Sequence, residues 1–172
     1  MRAELFSSDF IISFFIFLSA MLIVNAYYRN FQTEISETSM RNDMYSKAIN
    51  IASLLATSNG QPLYWNSSNV KVIGIYDSGK FNLTKFEELK KIPYQNATLK
   101  LGSGYYNLNI SLAENNTEKI LQNSSDPTYL YTYGTSPDKA EQIVVVKRLG
   151  VVSLGGTIRE VTLEVLLWVC FA

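Results

Sequence analysis

The residues with the most specific chemistry are six Asn-X-Ser/Thr sequons, the acceptor pattern for N-linked sugars. They begin at Asn66, Asn82, Asn96, Asn109, Asn115 and Asn123. Composition alone would supply about 2.4 of them, since 14 Asn and 29 Ser or Thr occur among 172 residues. All six follow residue 60, so the sequence predicts an exported head that carries N-glycans. The alternative is a polar Asn/Ser/Thr surface without sugar.

Residues for the common catalytic and metal sites are missing from the composition. The chain has no His and one Cys, Cys170, which excludes a Cys/His zinc site, an intrachain disulfide and a His-activated nucleophile. Asp77-Ser78-Gly79-Lys80 is typical of a turn, and Cys170 is expected to be a buried strand residue. An acid pair formed only in three dimensions, as in a glycosidase, is left open. We predict no enzyme, no cofactor and no metal site.

The charge balance gives no indication of nucleic acid as a partner. The 15 Lys and Arg equal the 15 Asp and Glu in number, and the basic residues are scattered along the chain. A nucleic-acid-binding domain needs a basic patch or stripe. We therefore predict no nucleic acid partner.

A long apolar run lies near the N-terminus. Residues 10–28 read FIISFFIFLSAMLIVNAYY, without a charge, and Arg29 follows. A helix needs about 20 apolar residues to cross a hydrocarbon core, and Tyr and Arg are common at its boundary. The run therefore predicts one transmembrane helix. A buried helix of a soluble protein and a cleaved secretory signal are the alternatives.

The helical pattern continues beyond this run. All nine Gly and all four Pro lie after residue 59, so nothing interrupts a helix before that point. Two sets of apolar residues recur at spacings of three and four: Val24, Tyr28, Phe31 and Ile35, then Met40, Met44, Ala48, Ile51 and Leu55. We predict one helix from about Leu5 to about Ser58, of which residues 29–59 are amphipathic.

Residues 60–172 predict a β-rich head. Strands are expected over 70–76, 106–112, 142–152 and 158–169, and a short helix over 81–92 with Asn82 or Thr84 as its N-cap. Residues 114–140 are expected to be loop, with room for short elements. Gly74 inside the first strand indicates a bulge or a close approach of backbone. The predicted fold is α+β: a long N-terminal helix packed on a mainly antiparallel sheet with one short helix. The apolar residues from Met40 to Leu55 should pack on the sheet, because each must bury one face.

The first ten residues carry a family resemblance. Arg2-Ala3-Glu4-Leu5-Phe6-Ser7-Ser8-Asp9-Phe10 has a basic-small site followed by Ser-X-acidic-Phe, ahead of an apolar helix and a sequon-bearing head. This resembles type IV pilin-like proteins, especially archaeal ones. The resemblance implies a leader within residues 1–9 that a prepilin-type peptidase cuts at Ala3 or Glu4; an unprocessed membrane protein is the alternative.

The resemblance also implies an assembly surface on the helix. It comprises Asp9, Phe10, Phe14, Phe17 and Met21. Before assembly the helix would lie in membrane lipid, and afterwards it would contact identical or related pilin-like subunits in a filament. The Asp9 carboxylate either lies in the membrane interface, favoured by the helix dipole, or pairs with an amine of a neighbouring subunit.

Two functions follow from these features. The first is a structural subunit of a surface filament or secretion-type pseudopilus, with its N-terminus inside, as the sequons and short leader indicate, and its head outside. The second is a monomeric, membrane-anchored binding or adhesion module. The aromatic residues that could form its surface, or equally the core, are Tyr64, Trp65, Tyr94, Tyr105, Tyr129, Tyr131 and Tyr133.

Overall fold

The computed structural model describes residues 8–115, 119–123, 126, 128–138 and 140–170. The predicted α+β fold is confirmed. The described elements are α1 (Ser8–Thr57), β1 (Tyr76–Asp77), β2 (Lys80–Phe81), α2 (Leu83–Lys90), α3 (Tyr94–Leu101), β3 (Asn107–Glu114), β4 (Thr132–Gly134), β5 (Gln142–Leu154) and β6 (Thr157–Val169).

The long helix α1 runs without a break through 50 residues. It ends as the sequence predicts, because Gly60 adopts the left-handed conformation and Pro62 cannot extend the hydrogen-bond ladder. The predicted start at Leu5 lies outside the described residues. By compactness the chain divides into two units, of which one ends at Met40 and the other begins at Arg41.

The unit that begins at Arg41, here called the head unit, contains α1 residues 41–57 and all other described elements. One side of this part of α1 lies in the core: Met44, Ala48, Ile51, Ala52 and Leu55 are all buried. The helix also contacts the head through hydrogen bonds, because Ile75 N donates to Leu55 O and Arg148 Nη2 donates to Ser53 Oγ. The predicted packing of α1 on the sheet is therefore confirmed.

The six described strands form one sheet in the order β1-β2-β5-β6-β3-β4. Every neighbouring pair is antiparallel except β2 and β5, which meet in parallel at Phe81 and Val152. The long hairpin β5–β6 turns at Gly155 and Gly156, whose φ angles of 59° and 81° suit a two-residue turn that glycine allows. Strand β6 is central, and its alternate residues Val161, Leu163, Val165 and Leu167 are fully buried.

The segment after β2 holds two short helices, where the sequence indicated one. Helix α2 has Asn82 as its N-cap, whose side chain accepts a hydrogen bond from Lys85 N; Thr84 lies inside the helix. Pro93 ends this helical stretch and precedes α3, because proline is favoured at helix starts. The second helix was missed, since only Ala97 and Leu101 of its eight residues are buried.

The predicted strand over 70–76 is largely wrong. Gly74 packs against the end of α1, and an added Cβ would lie 2.3 Å from Ser58 O. The neighbouring amides of Ile75 and Tyr76 donate to Leu55 O and Ser58 O of α1 and its terminus, and this pairing replaces a regular ladder. The close backbone approach predicted at Gly74 is confirmed. Cys170 follows the last strand and is exposed, so its predicted burial is wrong.

Candidate functional site

The apolar N-terminal part of α1 is the most unusual surface of the protein. Every residue from Asp9 to Gln32 is exposed. Among the described residues, α1 is the one helix long and apolar enough to cross a membrane. In an ordinary water-soluble protein such side chains would lie in the core.

The predicted assembly residues lie on one side of this helix. Phe10, Phe14, Phe17 and Met21 follow one another at spacings of four, three and four, and all four are exposed. The rings of Phe10 and Phe14 stack along this side, with centroids 6.3 Å apart. Asp9 lies in the first turn of the described helix, where a negative charge is favoured by the helix dipole. Ala3 and Glu4 lie outside the described residues.

The same side remains apolar beyond the predicted membrane segment. Val24, Tyr28, Phe31 and Ile35 continue the spacing of four, three and four, and the eight residues from Phe10 to Ile35 are here called the apolar stripe. Phe31 and Ile35 expose 59% and 49% of their surface. The residues around them are polar, for example Asn30, Gln32 and Glu34.

The Ser19 hydroxyl inside the apolar segment is compatible with a lipid environment. The Ser19 hydroxyl donates to Phe15 O at 2.8 Å, so its donor is satisfied within the helix. A membrane helix must satisfy its polar groups internally, because lipid offers no partner. The segment between Phe10 and Arg29 contains no ionisable carboxylate, lysine or arginine.

A polar cluster, here called the tyrosine clamp, holds α1 where it enters the head unit. Tyr106 Oη donates to Asp43 Oδ2 at 2.8 Å, Lys47 Nζ lies 3.0 Å from the same oxygen, and the Tyr105 and Tyr106 hydroxyls are 2.8 Å apart. Lys47 Nζ also lies 4.9 Å from the centre of the Tyr106 ring, a cation–π contact. Hydrogen bonds from Lys47 and Tyr106 lower the pKa of Asp43. Burial is the main cause that raises the pKa of Tyr106.

Sequence reasoning missed this clamp, because Asp43 and Tyr106 are separated by 63 positions and carry no shared motif. The remaining candidate aromatic residues mostly belong to the core. Trp65, Tyr131 and Tyr133 are buried, and Tyr94 and Tyr129 are half-buried. Tyr64 and Tyr105 are exposed.

All six sequon asparagines lie in the head unit, but their environments differ. Asn66, Asn96 and Asn115 are exposed, whereas Asn82, Asn109 and Asn123 are half-buried. Asn109 belongs to β3, between β6 and β4. The sequons of Asn115 and Asn123 include Thr117 and Ser125, which lie outside the described residues.

Comparisons with protein-family models, with curated proteins and with solved structures gave no match to this chain. The function is therefore inferred from the surfaces and contacts of the chain itself.

Proposed function

We propose that this protein is a pilin-like structural subunit that assembles into a cell-surface filament or a secretion-type pseudopilus. Residues 10–28 of α1 hold the monomer in the membrane before assembly, with the N-terminus inside and the head outside. The apolar stripe then binds the same region of other copies or related subunits. The head forms the outer part of the assembly.

The observation that carries this proposal is the extension of the apolar stripe to Phe31 and Ile35. Lipid accounts for an apolar surface on residues 10–28, where nearly the whole circumference is apolar. Lipid does not account for Phe31 and Ile35, because polar residues occupy the other sides of the helix there. Burying each side chain is worth about 1.5–3 kcal/mol. A second amphipathic helix would bury both while leaving Asn30 and Glu34 in water.

The stripe also indicates which partner fits. Its residues run along one side of a single helix from Phe10 to Ile35 at the spacing that helix pairs use. A partner must therefore present an equally long helix that is apolar in its first part and amphipathic later. Another copy of α1, or the helix of a related subunit, has that pattern.

The connection between helix and head supports a structural role. Residues 44–55 of α1 contribute side chains to the core of the head unit, and the tyrosine clamp fixes the helix at Asp43 and Lys47. An assembly formed by α1 therefore carries the folded head with it. A tethered binding module does not need helix residues built into the core of its head.

The proposal is tested with two double variants of the full chain in its own cells. Phe31→Ser with Ile35→Ser removes the apolar stripe beyond the membrane segment, and Glu34→Ser with Glu37→Ser is the matched control on the polar side. We expect the wild type and the control in filaments sheared from the surface, and the stripe variant only in the membrane. The N-terminal residue of the sheared protein should be Glu4 or Leu5.

A different result would favour the anchored binding module. In that case membrane extracts contain only full-length monomer, sheared material contains none of the protein, and Asp9→Ala changes neither fraction. Together these results would exclude the subunit function.

A further inference from the structure

We propose that the folded head carries N-glycans at Asn66 and Asn96, and none at Asn82 or Asn109. These four sequons are the ones that lie wholly within the described residues. The inference rests on the proposed export of the head, because the sugar is added outside the cytoplasm. It goes beyond the sequence motif, which treats all sequons as equal.

The side chain of Asn82 is held in the fold by two hydrogen bonds. Its Oδ1 accepts a hydrogen bond from Lys85 N at 3.2 Å and caps α2, while its Nδ2 donates to Asp77 Oδ2 at 3.2 Å. The residue is half-buried. A sugar on Nδ2 would have to displace the contact with Asp77, and Nδ2 can turn away from Asp77 only if Oδ1 gives up the cap of α2.

Asn109 is held in a different way, because it lies within β3 and that strand is paired with β6 on one side and β4 on the other. Its Nδ2 donates to Thr135 O at 2.8 Å, and its Oδ1 accepts from Thr132 Oγ1. The strand β4 and the chain that follows it therefore cover this side chain. A sugar on Nδ2 would have to displace the hydrogen bond to Thr135 O.

Asn66 presents the opposite geometry. It is exposed, and its Oδ1 accepts hydrogen bonds from Ser68 N at 2.9 Å and Asn69 N at 3.1 Å. The oxygen thus holds the turn, and Nδ2 makes no hydrogen bond to any described residue. Sugar on Nδ2 leaves both bonds to Oδ1 intact.

Asn96 is exposed on α3, and its side chain has no hydrogen-bond partner among the described residues. The same helix side carries Lys100, one turn later, whose Nζ donates to Val70 O at 2.8 Å. Val70 closes the turn that begins at Asn66, because Val70 N donates to Asn66 O. The two available asparagines therefore lie on one side of the head, which sugar would cover.

The attachment step uses a lipid-linked glycosyl phosphate or pyrophosphate as donor. Asn Nδ2 forms a bond to the anomeric carbon, and the bond between that carbon and the phosphate oxygen breaks. The phosphate oxygen keeps the electron pair, and the proton that the amide loses passes to a base of the transferring enzyme. A sugar added to Nδ2 of Asn82 or Asn109 before folding would meet Asp77 or Thr135 when the chain folds.

The test is glycopeptide mass spectrometry of the full-length protein from its own cells. We expect sugar on the peptides containing Asn66 and Asn96, and unmodified Asn82 and Asn109. Ser68→Ala should remove the sugar from Asn66 while leaving the turn, which uses only the Ser68 amide. Ser68→Thr is the matched control at the same position, because it keeps both the sequon and the Ser68 amide bond of the turn, and it should leave Asn66 occupied.

Sugar at Asn82 or Asn109, or an unmodified Asn66 or Asn96 in protein recovered from the cell exterior, would overturn this inference. The result is separable from the proposed function. Sheared filaments whose subunits lack sugar refute the glycan inference alone, whereas a glycosylated protein that never leaves the membrane refutes the filament function alone.

Discussion

Replacing Ile51 by Ala should destabilise the head unit strongly, although Ile51 belongs to the same helix as the exposed apolar residues 10–28. Ile51 is 1% exposed and lies on the side of α1 that enters the core. Truncating a buried Ile to Ala costs about 2–5 kcal/mol, because transfer energy is lost and a cavity remains. This is a large part of the roughly 5–15 kcal/mol by which a domain is stable.

The expected change in melting temperature follows from this cost. For a unit of this size, about 3 kcal/mol lowers Tm by on the order of 10 °C. Intrinsic tryptophan fluorescence is a suitable probe, since the two Trp residues of the chain, Trp65 and Trp168, are both buried in the head. The full chain in detergent micelles can be heated while this signal is followed.

The matched control is Asn50→Ala, one position earlier on α1. Asn50 is exposed, and Ala has the higher helix propensity, so Tm should stay within about 2 °C of the wild type. Equal melting temperatures for Ile51→Ala and Asn50→Ala would refute the packing of α1 in the head core.

Three further predictions use the same fluorescence assay. Hydrogen bonds, of which the one from Lys47 is the largest cause, hold the pKa of Asp43 below its ordinary value of 3.8. The Asp43 carboxylate therefore stabilises the fold above about pH 4, and this stabilisation is lost as the pH falls through the lowered pKa. Below about pH 4 the Tm of Asp43→Asn should fall less than the Tm of the wild type, and equal falls would contradict the tyrosine clamp. Burial raises the pKa of Tyr133 to about 12. As the pH rises, the unfolded chain releases the Tyr133 proton first, above about pH 10, so the stability of the fold decreases between that pH and the folded pKa. Tyr133→Phe should reduce this alkaline loss of Tm. An unchanged dependence of Tm on pH would argue against a buried Tyr133 hydroxyl. Gly74→Ala should cost about 1–3 kcal/mol, because its Cβ would lie 2.3 Å from Ser58 O, and an unchanged Tm would show that the backbones are farther apart.

Elements with a strong local pattern could be predicted from the sequence. The end of α1 was predictable because Gly60 and Pro62 follow a long stretch without either residue type. The hairpin β5–β6 was predictable because Gly155 and Gly156 separate two alternating segments. In these cases the local pattern agrees with the fold, so a short stretch of sequence is enough to predict the element.

Features that depend on distant residues could not be predicted in this way. Residues 70–76 have the alternation of a strand, but the amide of Ile75 bonds to the end of α1. The link between Asp43 and Tyr106 depends on how α1 lies against β3. Of the two N-caps that the sequence allows for α2, Asn82 caps the helix and Thr84 lies inside it. Tertiary contacts decide such cases.

For the candidate site, helical spacing predicts that the proposed assembly residues share one side of α1, whereas the sequon motif does not predict the environment of each asparagine. Phe10, Phe14, Phe17 and Met21 share one side because helical spacing alone places them there. In contrast, Asn82 and Asn96 have the same motif and opposite availability. The difference arises from Asp77 and the cap of α2, which the motif does not include.

The central claim is that the apolar stripe binds a second helix, and photo-crosslinking at Phe31 tests it most directly. A benzophenone amino acid at position 31, and in a control at Glu37 on the polar side, should be activated by light in intact cells. We predict that position 31 gives an adduct in which α1 is joined to the helix of a second chain, and that position 37 gives none. An adduct of position 31 with lipid alone, or equal protein adducts from both positions, would contradict the claim.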